Sequence, residues 1–309
     1  MNTPHARTVS PAAVGALVLA TIFFAVLAAG SDADMLTRGA GAFDWPRAVM
    51  VAALYLSAHL LRIGRMVVIL GDSAASVRSV AFAHALTAPV SSLTPLKIGE
   101  LARIYAFGIA SQGFIHGLRA WWIERSFDAI VLAAAGLFAL VLLPNTGAAV
   151  LPVTLVALLV LAATAVAIAV LPENVGMTKA WLIRRYTTRW SLSALAVLDD
   201  LGRGLHRSRQ LVRRKVATLA ALTFLLWGLE ASALTLLVGA IDAPTMLAGI
   251  LTVLSDLLTP TDQAFGGLAA QLPVHRLIVF ATVNGFAALA LGGLFLRRIQ
   301  RPDPARAPR

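Results

Sequence analysis

The chain contains no cysteine. This absence excludes disulfides, thiolate metal sites and cysteine nucleophiles. The sequence also has no P-loop, no glycine-rich dinucleotide fingerprint, no Gly-x-Ser-x-Gly elbow and no His-Glu-x-x-His zinc pair. Coupling to ATP hydrolysis therefore has no support in the sequence. We expect a protein that is not an enzyme and that uses neither a cofactor nor a metal.

Charged residues are scarce as well, at 13% of the chain against 59% hydrophobic residues. Apolar stretches close to the ~20 residues that span a bilayer recur along it. No polar segment between them reaches the ~100–150 residues of a typical soluble domain. The composition predicts an all-α polytopic membrane protein, with 1–309 as a single membrane domain. The net charge of +11 is then better explained by the positive-inside rule than by nucleic-acid binding.

Hydropathy and the positions of the basic residues predict about six transmembrane helices. The first resembles a secretory signal in its flanks, but its apolar core exceeds the ~7–15 residues of a signal, so we assign it as a span. Arg62, Arg65 and Arg78 are expected at a cytoplasmic helix end, and both chain termini are expected in the cytoplasm, most simply at a bacterial inner membrane. The predicted spans are 12–29, 49–70, 129–143, 151–171, 216–241 and 277–296.

A basic segment separates two halves of the chain. Residues 173–215 carry ten basic side chains against three acidic ones, with leucines at three-to-four-residue spacing. This pattern is typical of an amphipathic helix on the cytoplasmic membrane surface. It lies between a first half, 12–171, and a second half, 216–298, and residues 299–309 are expected to form a disordered basic tail.

Each half also contains a polar break within an apolar stretch. The first break holds Thr94 and Pro95 inside 78–118, and the second holds Thr259 and Pro260 inside 246–272. The charges at both ends of each block require an even number of crossings, and the arms are short. We therefore predict two re-entrant helical hairpins, one entering from each side, in the inverted-repeat arrangement of many transporters.

Charged residues inside the apolar blocks are the candidate substrate-binding groups, because ionised side chains within a bilayer are costly unless they pair or reach water. Lys97, Glu100 and Arg103 recur at i, i+3 and i+6 and so form one stripe on the helix that leaves the first tip. Glu100 can pair with either base. Snorkelling and helix-end pairing are the alternative explanation.

A second group opens the next span. Glu124 and Asp128 share one helix face, and Arg125 is within reach of Asp128. Glu230, in the middle of a later span, has no local basic partner and should face the protein interior. His59 and His84 are interpreted as packed or interfacial rather than as ligands. An intramembrane transferase would require a reactive set, for which Glu124 or Asp128 beside His116 is the candidate.

These charged motifs resemble those of a known family. The stretch Pro95-Leu96-Lys97-Ile98-Gly99-Glu100-Leu101-Ala102-Arg103, followed by Glu124-Arg125-Ser126-Phe127-Asp128, is similar to the paired signature of the lysylphosphatidylglycerol synthase transmembrane family. Gly266 and Gly267 resemble a later glycine motif of the same family and belong to the second hairpin tip. The resemblance extends from about 49 to 296. It implies an inner-membrane protein with re-entrant helices that moves a lipid or a lipid-linked molecule between leaflets, without implying lipid synthesis.

The chain departs from the family pattern at two positions. Gln271 stands where the family often has a glutamate, and Asn284 stands where many members carry an arginine. A different substrate charge or a loss of transport would each account for the departure. We therefore expect a lipid flippase or transporter with a phospholipid or lipid-linked substrate. The alternative is a non-transporting scaffold or accessory subunit of a lipid- or glycan-synthesising enzyme, and a homo-oligomer is compatible with either function.

Overall fold

The computed structural model describes residues 44–71, 73, 75–93, 98–142, 147–185, 189–238, 275, 278–279 and 281–291. Within these ranges every regular element is an α-helix. Several predicted features lie outside the described residues. They are the span expected at 12–29, the expected first tip with Thr94 and Pro95, Lys97, and the hairpin expected at 246–272 with Thr259, Pro260, Gly266, Gly267 and Gln271. The helices are α1 (Trp45–Leu70), α2 (Val77–Leu93), α3 (Ile98–Ala110), α4 (Phe114–Leu142), α5 (Gly147–Ala169), α6 (Leu171–Arg185), α7 (Arg189–Val238) and α8 (Ala281–Leu291).

Three helices in the described part of the chain are long and apolar enough to cross a membrane. They cover Trp45–Leu70, Val150–Ala169 and Leu192–Leu237. Large apolar side chains on their outer faces are exposed, including Leu60 at 55%, Leu159 at 69% and Leu225 at 59%. Such surfaces are stable against lipid tails rather than water. The protein is an integral membrane protein.

Helix α1 begins where the sequence supplies a cap. The side chain of Asp44 accepts a hydrogen bond from the backbone N–H of Arg47 at 3.2 Å, and Pro46 occupies the first turn. The helix ends before Gly71. The last turns of α1 contribute Met66, Ile69 and Leu70 to a core that also receives side chains from α2, α3, α4 and α7.

Glycines allow α2, α3 and α4 to pack as two successive tight hairpins. A Cβ atom on Gly99 would overlap backbone atoms of Ser91, so α3 crosses α2 in direct backbone contact. A Cβ atom on Gly117 would lie 2.6 Å from the backbone nitrogen of Gly108, so α4 crosses α3 equally closely. Gln112, with a φ of 61°, adopts the left-handed conformation that reverses the chain between α3 and α4.

This second reversal changes the expected position of one charged group. We expected the first hairpin to extend over 78–118 and the group Glu124, Arg125 and Asp128 to open the next span. Instead α4 begins at Phe114 and runs unbroken for 29 residues. Glu124 therefore lies ten residues, or ~15 Å, inside the helix rather than at its end.

Helix α7 differs from the expected arrangement of a surface helix followed by a separate span. It is one continuous helix of 50 residues, ~75 Å long. Its first part packs beside α6, where Val175 would contact a Cβ atom on Gly202 at 3.1 Å and Lys179 pairs with Asp199. Its later part packs against α1 and α4. The basic segment 173–215 is therefore a helical pair that continues directly into the span.

Candidate functional site

Arg65 of α1 is the centre of a buried ion-pair cluster. Its side chain is fully buried. Nη2 donates to Glu124 Oε1 at 2.7 Å, and Nη1 donates to Asp128 Oδ1 at 2.7 Å and to Thr223 Oγ1 at 3.0 Å. One guanidinium thus joins α1 to two carboxylates of α4 and a hydroxyl of α7. The planar fork of arginine suits this geometry, because its two terminal nitrogens reach different acceptors at once.

Glu124 connects this centre to α3. Its Oε1 accepts from Arg65 and also from Arg103 Nη2 at 2.8 Å, and the Glu124 side chain is fully buried. The Arg103 guanidinium lies over the ring of Phe107, with 5.6 Å between its central carbon and the ring centroid. A single carboxylate oxygen therefore holds two arginines that come from helices far apart in sequence.

The more exposed side of the cluster is formed by α3 and α4. Arg125 pairs with Asp128 at 3.2 Å and with Glu100 at 3.5 Å, and its side chain is 32% exposed. Trp121 Nε1 donates to Glu100 Oε2 at 2.6 Å. Glu100 therefore bonds residues of α4, rather than Arg103 of its own helix as its spacing allowed.

Helix α7 adds a further pair. Arg62 of α1 donates to Glu230, and both side chains are mostly buried. Glu230 thus faces the protein interior, as its lone position in the sequence indicated, and its partner comes from a helix 168 residues away. Trp227 Nε1, also on α7, donates to Asp128 Oδ1 at 3.2 Å.

Four arginines and four carboxylates make up the cluster, so these eight side chains carry no net charge. Such a balance is what a low-dielectric setting requires, because an unpaired ion there costs several kcal/mol. We call these residues the ion-pair cluster: Arg62, Arg65, Arg103, Arg125, Glu100, Glu124, Asp128 and Glu230.

Two further polar pairs continue the same face of α1. His59 Nδ1 is 3.0 Å from His84 Nε2 of α2, and Phe286 of α8 stacks on His59 with ring centroids 6.4 Å apart. One turn earlier, the Tyr55 hydroxyl is hydrogen-bonded to His275 Nε2. We call His59 and His84 the histidine pair.

A cavity of about 740 Å³ joins these groups to an apolar surface. Its polar part includes Tyr55, the histidine pair and six members of the ion-pair cluster, while Arg65 and Glu124 lie behind that wall. Its apolar part is lined mainly by α5 and α7. The α5 residues are Val153, Val156, Ala157, Leu159, Val160 and Ala163.

Two arrangements that would indicate bond-making chemistry are absent from the part of the chain that the structure describes. Among the described residues, no three His, Asp or Glu side chains come together as a metal site would require. His116 bonds the carbonyl of Ser111 at 3.2 Å beside the α3–α4 turn. It lies eight residues, or ~12 Å along α4, from Glu124, so the transferase arrangement considered above does not form.

Comparison with known families identifies the chain. The profile described as "Lysylphosphatidylglycerol synthase TM region" matches residues 13–273. The chain belongs to this family. The match contains every member of the ion-pair cluster. Comparison with curated proteins and with solved structures finds no significant match.

The glycine and the charged residues of the family-like motif now have a physical explanation wherever the structure describes them. Gly99 permits the close crossing of α3 and α2, and the glutamate and arginine that follow it, Glu100 and Arg103, pair with α4. The second motif supplies the α4 side of the cluster through Glu124, Arg125 and Asp128. In this chain the two motifs therefore supply five of the eight members of the ion-pair cluster, and Arg62, Arg65 and Glu230 supply the other three.

Sequence reasoning missed several residues of the site. Arg62 and Arg65 were expected at a cytoplasmic helix end, yet both belong to the buried ion-pair cluster. His59, His84 and Tyr55 were not included among the candidate site residues, although all three line the cavity. A signal was present, because Tyr55, His59, Arg62 and Arg65 follow one another at spacings of four, three and three, which is one polar stripe on an otherwise apolar helix.

Proposed function

We propose that this protein binds a phospholipid or a lipid-linked molecule in the cavity and moves its polar headgroup across the membrane. The observation that carries the proposal is the composition of the cavity, in which ion pairs and polar rings meet an apolar wall formed by α5. A lipid has the same division, since its headgroup needs polar partners and its tails do not. The headgroup is then solvated by protein groups in place of water, while the tails remain against apolar helices.

The proposed path also uses α2 and α3 as a re-entrant hairpin. These helices have 17 and 13 residues, or ~25 Å and ~20 Å, which is less than the ~30 Å core of a bilayer. Their close crossing at Gly99 gives the hairpin a compact form. In this proposal the hairpin brings Glu100 and Arg103 to the depth at which the headgroup crosses. A second hairpin at 246–272, six spans in total and an inverted repeat complete the arrangement.

The positive-inside rule supports an orientation in the inner membrane. Basic residues are concentrated in α6 and the first part of α7, where Arg184, Arg207 and Arg214 are exposed. Loops rich in Lys and Arg remain on the cytoplasmic side. We therefore propose that α6 and the start of α7 are cytoplasmic, together with both chain termini.

The test is a translocation assay with purified full-length protein in phosphatidylcholine vesicles that contain a trace of acyl-labelled phospholipid. Chemical quenching of the label in the outer leaflet measures how fast the labelled lipid exchanges between leaflets.

We expect Glu100→Gln to reduce this exchange rate at least tenfold, because the Glu100 side chain is partly exposed to the cavity and pairs with Arg125. Arg203→Gln is the control, since Arg203 pairs with Asp199 and Asp200 on α7, away from the cavity. An absence of translocation by the unaltered protein refutes the proposal.

The alternative is a scaffold that positions a lipid- or glycan-synthesising enzyme. It is favoured by the helical pair of α6 and α7, which combines exposed basic residues with exposed apolar ones such as Met177 at 65% and Leu192 at 65%. Co-purification with an enzyme, together with full function after changes at Lys97, Glu100 and Arg103, would support the scaffold over the transporter.

A further inference from the structure

The histidine pair differs from the ion-pair cluster in the chemistry of its groups, because an imidazole can exist as a neutral base or as a protonated cation, whereas the guanidinium and carboxylate groups are already ionised. His59 and His84 come from α1 and α2, and their rings are joined by a 3.0 Å contact between nitrogens. An N–H···N bond requires that the accepting nitrogen be unprotonated. While this bond persists, the pair therefore holds either no extra proton or one.

Charged groups face the pair from three other helices. Arg62, one turn along α1, and Arg103 of α3 act electrostatically on both histidines, and Glu124 of α4 acts on His84. Glu230 of α7 approaches from the other side of Arg62, with which it pairs.

The remaining neighbours of the pair are aromatic and imidazole rings. Phe286 of α8 contacts both rings of the pair. The Tyr55 hydroxyl, one turn earlier on α1, is bonded to His275. Among the described residues, the ionised groups that act on the pair are thus members of the ion-pair cluster.

The total charge of the site connects protonation of the histidine pair to the binding of a ligand. The ion-pair cluster is neutral, so a proton added to the histidine pair alone leaves one unbalanced positive charge beside two arginines. A monoanionic headgroup added to the cavity alone leaves one unbalanced negative charge. Either state is costly away from bulk water, whereas the two together are neutral. Each ligand must then raise the affinity of the site for the other by the same factor.

We propose that the histidine pair binds one proton together with a monoanionic phosphodiester headgroup, so that movement of such a lipid is coupled to movement of a proton. This inference rests on the proposed function and extends it by naming a headgroup class and a driving ion. The coupled step transfers one anionic lipid and one proton in the same direction, and no net charge crosses the membrane.

The experiment uses full-length protein in phosphatidylcholine vesicles with trace acyl-labelled phosphatidylglycerol, a gradient of about one pH unit, and valinomycin with equal potassium on both sides to hold the membrane potential at zero. Coupling of one proton to one lipid predicts about tenfold enrichment of the label in the leaflet that faces the alkaline side, because one pH unit is a tenfold ratio of protons. Acyl-labelled phosphatidylethanolamine, whose amine already balances its phosphate, should exchange without enrichment.

His59→Gln and His84→Gln test the assignment to the histidine pair from either side of its hydrogen bond. Each should reduce the enrichment from about tenfold to about onefold. His206→Asn is the control, because His206 is exposed on α7 and bonds Gln210 outside the cavity. A second measurement needs no variant: phosphatidylglycerol supplied to one leaflet should drive a change of luminal pH that is reported by an entrapped dye.

The possible outcomes separate the two proposals. If phosphatidylglycerol exchanges between leaflets without enrichment under the pH gradient, and luminal pH does not change, the coupling is overturned while the transport function stands. Enrichment that persists in both histidine variants would overturn the assignment to this pair. Absence of exchange for both labelled lipids would refute the proposed function and the coupling with it.

Discussion

At the scale of single residues, the most consequential choice in this protein is arginine at position 65. A lysine has a single ammonium group and would not hold Glu124, Asp128 and Thr223 in the same plane. The pairing also neutralises two carboxylates that would otherwise repel each other from adjacent turns of α4. The cluster is thus interdependent, and the removal of one member leaves a buried charge behind.

We expect Arg65→Gln to lower the free energy of unfolding by about 3–5 kcal/mol, because it leaves the buried carboxylates with fewer cations. The measurement is the thermal unfolding of the purified variant in detergent. Arg78→Gln provides the matched control, since Arg78 is exposed at the start of α2. Equal stability of the two variants would show that Arg65 is not needed to neutralise the cluster.

At the scale of helices, two glycine crossings determine where the charged side chains meet. Helix α3 is placed between α2 and α4 by backbone contacts that no larger residue permits. Because α3 is only 13 residues long, small shifts at either crossing would move Glu100 and Arg103 relative to α4. The glycines therefore act on the site through the position of a helix rather than by contacting a ligand.

Gly117→Ala should destabilise the protein by about 1–3 kcal/mol, since its Cβ atom would overlap the backbone of α3. Gly64→Ala is the comparison within α1, where nothing lies within 4 Å of the added Cβ atom. The second change should be neutral or should add up to about 1 kcal/mol through better helix propensity. The measurement is the thermal unfolding midpoint of both variants, which should be lower for Gly117→Ala than for Gly64→Ala. A lower midpoint for Gly64→Ala would contradict the described crossing of α3 and α4.

The continuity of α7 can be measured directly. Because the chain has no cysteine, Val197→Cys and Leu225→Cys introduce the only two sites for thiol-reactive spin labels. A straight helix separates these positions by ~42 Å, whereas a right-angle bend near 215, as a surface helix requires, gives ~31 Å. We expect the longer distance in electron spin resonance of the reconstituted protein. The shorter distance would instead support the surface helix that was expected from the sequence.

At the scale of the whole molecule, the cavity is lined by α1 together with α2, α3, α4, α5, α7 and α8, and a large share of its apolar lining belongs to α5. Ala162 and Ala163 are both exposed, but only Ala163 lines the cavity. Substitutions at these two adjacent positions can therefore distinguish the effect of filling the cavity from the effect of altering α5 in general.

Ala163→Trp should reduce both the amount of lipid that co-purifies and the rate of its translocation, by tenfold or more, because an indole would occupy the space proposed for an acyl chain. Ala162→Trp should leave both quantities within twofold of the unaltered protein. Mass spectrometry of bound lipid and the vesicle assay provide the two measurements. Similar losses in both variants would argue against a lipid path along this side of α5.

Membership of the family and the α4 charges could be predicted from sequence because they depend on local spacing. Arg125 and Asp128 are three residues apart, and the expected pairing between them forms. The partners of Glu124 and Glu230 could not be predicted in the same way. Arg65 lies 59 residues from Glu124, Arg62 lies 168 residues from Glu230, and a single sequence carries no information about such distant contacts. Near a presumed helix end, both arginines also fitted the ordinary explanation of snorkelling.

The same sequence separations have a consequence for how the protein is made. Ribosomes synthesise α1 first, with Arg62 and Arg65 already in it, while Asp128 follows 63 residues after Arg65 and Glu230 follows 168 residues after Arg62. Each arginine opposes insertion near mid-membrane by about 2.5–3.5 kcal/mol, so α1 alone enters lipid against a penalty of roughly 5–7 kcal/mol. The apolar residues of α1 must offset this penalty until α4 emerges, and the helix is fully neutralised only when α7 is complete. Truncation before Glu230 should accordingly leave α1 as the part of the nascent protein that quality-control proteases recognise first.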